Sequence, residues 1–168
     1  MFTLEDFHNT GIDLTLAMSL LANCRKHEAT RVIKTWVNSW ATSSRFHEPI
    51  IYPCLLGCQD GVDRLSHYVQ CPFMLHLQIK ILTNPPSPLP LTRIGLVDPS
   101  RDSLLSVACC FAGYHAVKRK VSSSLSSSGP LPVHTISDHH QTFADAYIVA
   151  ANECGLPTRA IFTVACEL

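Results

Sequence analysis

Four residues in one short stretch have the types and spacing of a metal site. "PCLLGCQDGVDRLSHYVQCP", from Pro53 to Pro72, carries Cys54, Cys58, His67 and Cys71 in the pattern C-x3-C-x8-H-x3-C. Zinc takes thiolate and imidazole donors in a tetrahedron. Two cysteines from a tight turn supply half of it, and His67 and Cys71, four positions apart on a short helix, point from one face and supply the rest. Gly57, just before Cys58, lets the backbone curl so that amide N–H groups approach the sulfurs and offset the net negative charge of a dication among three thiolates. The rival assignment is ordinary buried side chains, because free cysteine is among the most buried residue types. Asp60 or His47 would replace a ligand in a different register.

Other groupings carry less chemistry. "FADA", Phe143 to Ala146, is similar to a polymerase F/Y-x-D-D turn, but Ala146 stands where the second metal-binding carboxylate is needed and the segment reads as helix. "VDPSRD", Val97 to Asp102, offers Asp98 and Asp102, which read as capping residues. A cysteine nucleophile at Cys110 would need a base and an orienting third group, and His115 lies on an apolar helical face, so it reads as a core histidine. "DHH", Asp138 to His140, reads as a solvent-facing helix start. Cys24, Cys109, Cys110 and Cys154 have no ligand partner nearby in sequence and read as buried thiols.

Positive charge is local. Arg25, Lys26, Arg31, Lys34 and Arg45 precede the cysteine stretch with only Glu28 among them, and Lys118, Arg119 and Lys120 follow it. These eight are the candidate nucleic-acid contacts, worth a few phosphates and therefore salt-sensitive; the alternative is a solvated helix face. Trp36 and Trp40 can stack bases, but within an apolar stripe they read as core.

The elements that must position these residues are helical. Ile12, Leu16, Leu20 and Cys24 step by four, with Leu14, Met18 and Leu21 widening the stripe, over residues 12–26. Ala29, Ile33, Trp36, Val37 and Trp40 share a face over 29–42. Asp63 is placed to N-cap a short helix through Gln70, ended by Pro72. Residues 73–82 read as a further apolar helix, and "NPPSPLPL" as a break. From Asp98 as N-cap and Pro99 as first helical residue, Leu104, Val107, Ala108, Phe111 and His115 form the clearest stripe, with Lys118 to Lys120 in the last turn. "SSSLSSSGPLP" reads as a flexible linker. The last helix spans 139–153, with Asp138 and Gln141 as a capping box and Gly155 as C-cap. "RAIFTVAC" is the best strand candidate.

The whole chain of 168 residues is 46% apolar and 15% charged, a globular composition, and its 13 basic and 13 acidic side chains cancel. Net neutrality leaves no global field for phosphate and favours association. No apolar run reaches the roughly 18 residues of a membrane span; Leu104 to Val117, the longest, reads as a buried helix. The acidic N-terminus does not read as a secretory leader. An intracellular protein is expected, with its eight cysteines as thiols or metal ligands rather than disulfides.

Three blocks in order, "VIKTWVNSWATSSRFHEP", "CLLGCQDGVDRLSHYVQCP" and "TRIGLVDPSRDSLLSVACCFAGYHAVKRK", resemble the region after the polymerase domain in non-LTR (LINE-type) retrotransposon polyproteins. These carry a C-terminal CCHC zinc knuckle with an acidic residue shortly before His-Tyr or His-Leu, as Asp63 stands before His67 and Tyr68. The likeness covers about residues 29–120; three residues separate His67 from Cys71 where the best-known members have four. The resemblance implies Zn2+ on Cys54, Cys58, His67 and Cys71, DNA or RNA as partner, a polymerase domain from which this chain is separated, a nuclear location, and no catalysis by the chain itself.

The expectation is a mainly α-helical protein. An N-terminal helical region (1–52) is followed by the CCHC knuckle (53–72) and a helical region packing on it (73–121). A Ser/Pro-rich linker (122–136) then leads to a C-terminal helix and tail (137–168). The expected function is a non-catalytic, zinc-binding, nucleic-acid-binding module. The alternatives are a zinc-stapled structural or protein-interaction domain, or a decayed retroelement fragment.

Overall fold

The computed structural model describes residues 11–47, 51–59, 61–85, 87, 89–125 and 136–159. They form seven helices: α1 (Leu14–Ala22), α2 (Lys26–Trp36), α3 (Leu65–Tyr68), α4 (Pro72–Ile81), α5 (Pro90–Arg93), α6 (Arg101–Leu125) and α7 (Ile136–Cys154). Among the described residues there is no strand, only isolated antiparallel bridges such as Pro53 with Val62. The strand candidate near the C-terminus falls almost wholly outside the described residues. No described helix is long and apolar enough to cross a membrane.

The long helices α6 and α7 pack along each other, and Gly113 permits it: a Cβ there would come within 2.8 Å of the Phe143 ring. α7 buries Phe143, Ala144, Tyr147, Ala150, Ala151 and Cys154 against this seam. The expected C-terminal tail helix is therefore a core element. It starts at Ile136, so Asp138 lies inside it rather than capping it. Residues 122–125, expected in the linker, continue α6, which ends at Leu125. Lys118 to Lys120 are thus not in its last turn.

The start of α6 also moves. Ser100 caps it: its hydroxyl accepts the Ser103 N–H at 3.1 Å and its own N–H reaches Ser103 Oγ at 2.9 Å. Asp98 instead takes a positive φ of 44° in the turn before. The helix is buried nearly all round from Leu104 to Cys110, after which Tyr114, Val117, Lys118 and Val121 turn inward while Phe111 and His115 are half-buried. The stripe that ends on His115 is thus one face too far round.

The N-terminal helices also turn a different face inward than expected. α1 buries Ala17 and Leu21 and exposes Leu14, Leu16 and Met18; α2 buries Glu28, Val32 and Thr35 and exposes Ile33 and Val37. Trp40, beyond α2, is buried, with its ring 4.7 Å from Tyr114 and 5.9 Å from Tyr68. Trp36 is half-buried and donates its indole N–H to the Ile94 carbonyl at 2.8 Å.

A candidate metal centre and its supports

Cys54, Cys58, His67 and Cys71 converge: one ligand atom from each lies within 4.8 Å of every other, an arrangement that can hold a metal ion. Cys58 Sγ is 3.4 Å and Cys54 Sγ 4.0 Å from Cys71 Sγ. His47 is exposed and takes no part, and Asp60 lies outside the described residues.

Local backbone chemistry builds the cluster. Cys54 N–H donates to the Gly61 carbonyl at 2.8 Å and Asp63 N–H to the Tyr52 carbonyl at 2.8 Å, so the chain doubles back on itself. At the first turn Gly57 has φ +84° and its N–H closes on the Cys54 carbonyl at 3.0 Å, which frees the Leu56 N–H to reach Cys54 Sγ at 3.4 Å. At the far side, Cys71 is the N-cap of α4 and Pro72 its first residue. The unpaired N–H groups of a helix's first turn carry positive partial charge. Here those of Phe73 and Met74 are offered to Cys58 and Cys71 respectively.

The thiols titrate differently in consequence. A hydrogen bond from the Cys71 thiol holds Cys54 down to about 5 against the opposing pull of burial, helped by the Cys58 and Leu56 amides. Cys71, which gives that bond and is buried, is pushed up, and burial raises Cys58. His67 Nε2 is buried with no hydrogen-bond partner among the described residues. An unsatisfied buried polar atom is costly, and a cation among the four donors would satisfy this one. These residues therefore fit a metal ion by donor set, spacing and the orphaned nitrogen.

Three supports were not foreseen from the sequence. Gly61 is needed for space: a Cβ there would lie 2.5 Å from the His67 ring and 2.9 Å from Cys54 Cβ. The Asp-Gly pair in the gap between Cys58 and His67 is the signal that marks it as a reversal. His139 and His140 are not solvent-facing. Nδ1 of His139 lies 2.7 Å from the Leu55 carbonyl and Nε2 of His140 2.9 Å from that of Leu56, so the first turn of α7 clamps the cysteine turn. Ile136 packs where a Gly57 side chain would be.

Asp63 is the third, and it does not cap α3, whose N-cap is Arg64. Its carboxylate is fully buried and fully partnered. Oδ1 lies 3.0 Å from the hydroxyls of Tyr68 and Tyr114, and Oδ2 accepts from Ser43 N–H at 2.7 Å and Lys118 Nζ at 3.1 Å. Tyr68 in turn accepts the Leu55 N–H at 3.1 Å. Burial and the Asp63 charge push the Tyr68 phenol up, so it stays a donor. Lys118 is thereby removed from the candidate nucleic-acid contacts: it is 8% exposed, paired with Asp63.

The other cations are dispersed. Lys26, Arg31, Lys34 and Arg119 border adjoining hollows of about 510 and 700 Å³ against α6. Arg25 pairs with Glu28 at 3.5 Å and donates to the Glu153 carbonyl. Lys120 is half-buried and donates to the Thr142 hydroxyl at 3.3 Å. Arg45 stands apart over the Phe46 ring, at 5.1 Å. "FADA" lies in α7 with Phe143 buried, and Asp145 accepts from Gln141 at 2.6 Å.

No family model matches the chain, and neither a curated protein nor a solved structure is significantly similar to it.

Proposed function

We propose that the protein is a zinc-binding helical module that contacts nucleic acid and performs no chemistry of its own. The carrying observation is the Cys54–Cys58–His67–Cys71 cluster. A zinc–sulfur bond of about 2.3 Å in a tetrahedron places sulfurs about 3.8 Å apart, and the two sulfur separations given above bracket that value. All four positions are filled by protein, which is the arrangement of a structural zinc and leaves no open site for water or substrate. The nucleic-acid part is supported by the cations bordering α6 and by the resemblance to the knuckle region of LINE-type polyproteins, of which this chain would be a separated part.

The test is metal content. Purified protein should carry one zinc per chain, Cys58→Ser should abolish it, and Gly61→Ala, by pressing on His67, should weaken zinc binding by about ten- to a hundredfold in a chelator competition. Fully folded, zinc-free protein would sink the reading. A second reading, a zinc-stapled protein-interaction domain, is favoured by the exposed apolar Leu14, Leu16 and Met18 on α1. Absence of nucleic-acid binding at low salt would select it.

A further inference from the structure

Phe111 and His115 lie one turn apart on α6, ring centroids 4.1 Å apart and inclined by 39°. Phe111 lines two adjoining hollows and His115 one of them: the first is bordered across from Phe111 by α2, the second chiefly by α7 with Arg31 of α2 at its edge. The hollow of about 510 Å³ holds Lys26, Arg31 and Lys34 with Phe111, and no acidic side chain among the described residues lines it. The adjoining one, of about 700 Å³, shares Arg31 and Phe111 and adds His115 and Arg119. Because two lining residues are common, the hollows form one trough. Its α7 wall carries Asp145 and Glu153, which repel phosphate and confine an anionic ligand to the α2 side.

Several observations agree that the trough is built for an anion with flat, apolar parts. Lys34 Nζ sits 5.8 Å above the Phe111 ring, so a cation and an aromatic face are presented together. His115 Nε2 is buried and has no hydrogen-bond partner among the described residues. Burial, then the charges of Lys34, Arg119 and Arg31, hold the His115 imidazole down to about 4, so three cations converge on it and the ring is neutral at physiological pH. A neutral imidazole next to an aromatic face can stack on a base.

We propose that the α2–α6 trough, through Arg31, Lys34, Phe111, His115 and Arg119, binds a single strand of nucleic acid, phosphates on the cations and unpaired bases on the two rings. Duplex is disfavoured because its bases are stacked on one another and cannot reach a recessed ring pair. The cations address phosphate and the rings address base, chemistry that ribose and deoxyribose strands share. The inference rests on the nucleic-acid part of the function proposed above and specifies its site.

The experiment is fluorescence anisotropy of labelled oligo(dT) and oligo(U) with the metal-loaded full chain. Both strands should bind at low salt, with affinity falling about twentyfold between about 50 and about 200 mM salt if three phosphates are neutralised. Lys34→Glu with Arg119→Glu, both exposed positions, should cost more than about tenfold, and Phe111→Leu about tenfold through lost stacking. Arg45→Glu, on another face, should change affinity less than about twofold. Thermal melting and metal content of each variant confirm its fold, and Arg119→Glu alone serves if the double variant is unstable. If Arg45→Glu weakens binding as much as the trough variants, or duplex binds as tightly as single strands, the trough assignment is overturned while nucleic-acid binding stands. If no nucleic acid binds at low salt, both fall.

Discussion

The protein holds two groups of cysteines that differ in the company their sulfurs keep. In the knuckle, backbone amides point at sulfurs: Leu56 N–H reaches Cys54 Sγ, and the first turn of α4 offers its amides to Cys58 and Cys71, while the Cys71 thiol gives to Cys54. Among the helices, two thiols give to carbonyls, although Cys154 also receives from the Cys109 thiol and the Leu156 amide, which hold it down to about 7 against burial. Cys24 Sγ lies 3.6 Å from the Leu20 carbonyl, and Cys154 Sγ 3.3 Å from that of Ala151. Cys109 and Cys154 approach to 3.9 Å across the α6–α7 seam, as close as the knuckle pairs, yet no imidazole or third sulfur joins them in a metal-sized cluster among the described residues. Sulfur proximity alone therefore distinguishes nothing. What separates the two groups is company: Cys54, Cys58 and Cys71 share one metal-sized cluster with an imidazole, and Cys109 with Cys154 does not.

The largest effect should come from breaking the knuckle group. Cys71→Ser removes the sulfur to which the other two are bonded, and if the cluster holds zinc, loss of a binding free energy on the order of 10 kcal/mol should leave the region unfolded, with metal content near zero and a lost cooperative melt. A chelator should do the same to the unaltered protein. Next is Asp63→Asn, which strands Lys118 in the interior without a counter-charge and should cost about 3–5 kcal/mol by urea denaturation. Lys118→Met should cost less, because Asp63 keeps three neutral donors. Among the helices, Cys109→Ala should cost about 1–2 kcal/mol and leave metal stoichiometry unchanged. A metal loss there as large as that of Cys71→Ser would erase the distinction drawn above.

The smallest effect concerns His115, whose Nε2, like that of His67, lacks a hydrogen-bond partner among the described residues. His115 is held down to about 4 from 6.5, chiefly by burial. The unfolded chain therefore takes up a proton that the folded one refuses. The His115 contribution is fully present above about pH 6.5 and is lost as pH falls towards 4. With part of the ring in contact with solvent, about 1–2 kcal/mol should disappear over that interval, and His115→Gln should flatten the profile. An unchanged profile in the variant would show that other groups govern acid lability.

The helices were legible where sequence periodicity is strong: α1, α2, α4, α6 and α7 all fall inside or across their expected spans. Which face turns inward was not. α1 and α2 each carry more apolar residues than the neighbouring helices can cover, so the buried face is chosen by small Ala17 and by Val32, not by the longest stripe. The ligand pattern was readable because its four residues lie within one short segment. Its supports were not, because they come from far away in sequence. Asp63 looks like a cap by position, yet only Tyr68 among its four carboxylate partners is near in sequence, and the other three stand 20, 51 and 55 residues off. Lys118 is four positions after Tyr114, on one helical face, and that shared face was the available sign that it points inward with the tyrosine.

The Asp63 hub bears on where this molecule can be cut. Knuckles in many proteins are autonomous beads, foldable as short synthetic peptides around their metal. Here the segment from Tyr52 to Cys71 borrows a backbone amide from residue 43, a phenol and an ammonium from α6, and two imidazoles from α7. Excised, it would leave a naked carboxylate and a turn with its clamps removed. The residues that make these contacts, from Ser43 to His140, are expected to protect one another's amides from exchange. An expression fragment, graft or domain boundary drawn inside that interval would cut some of these contacts.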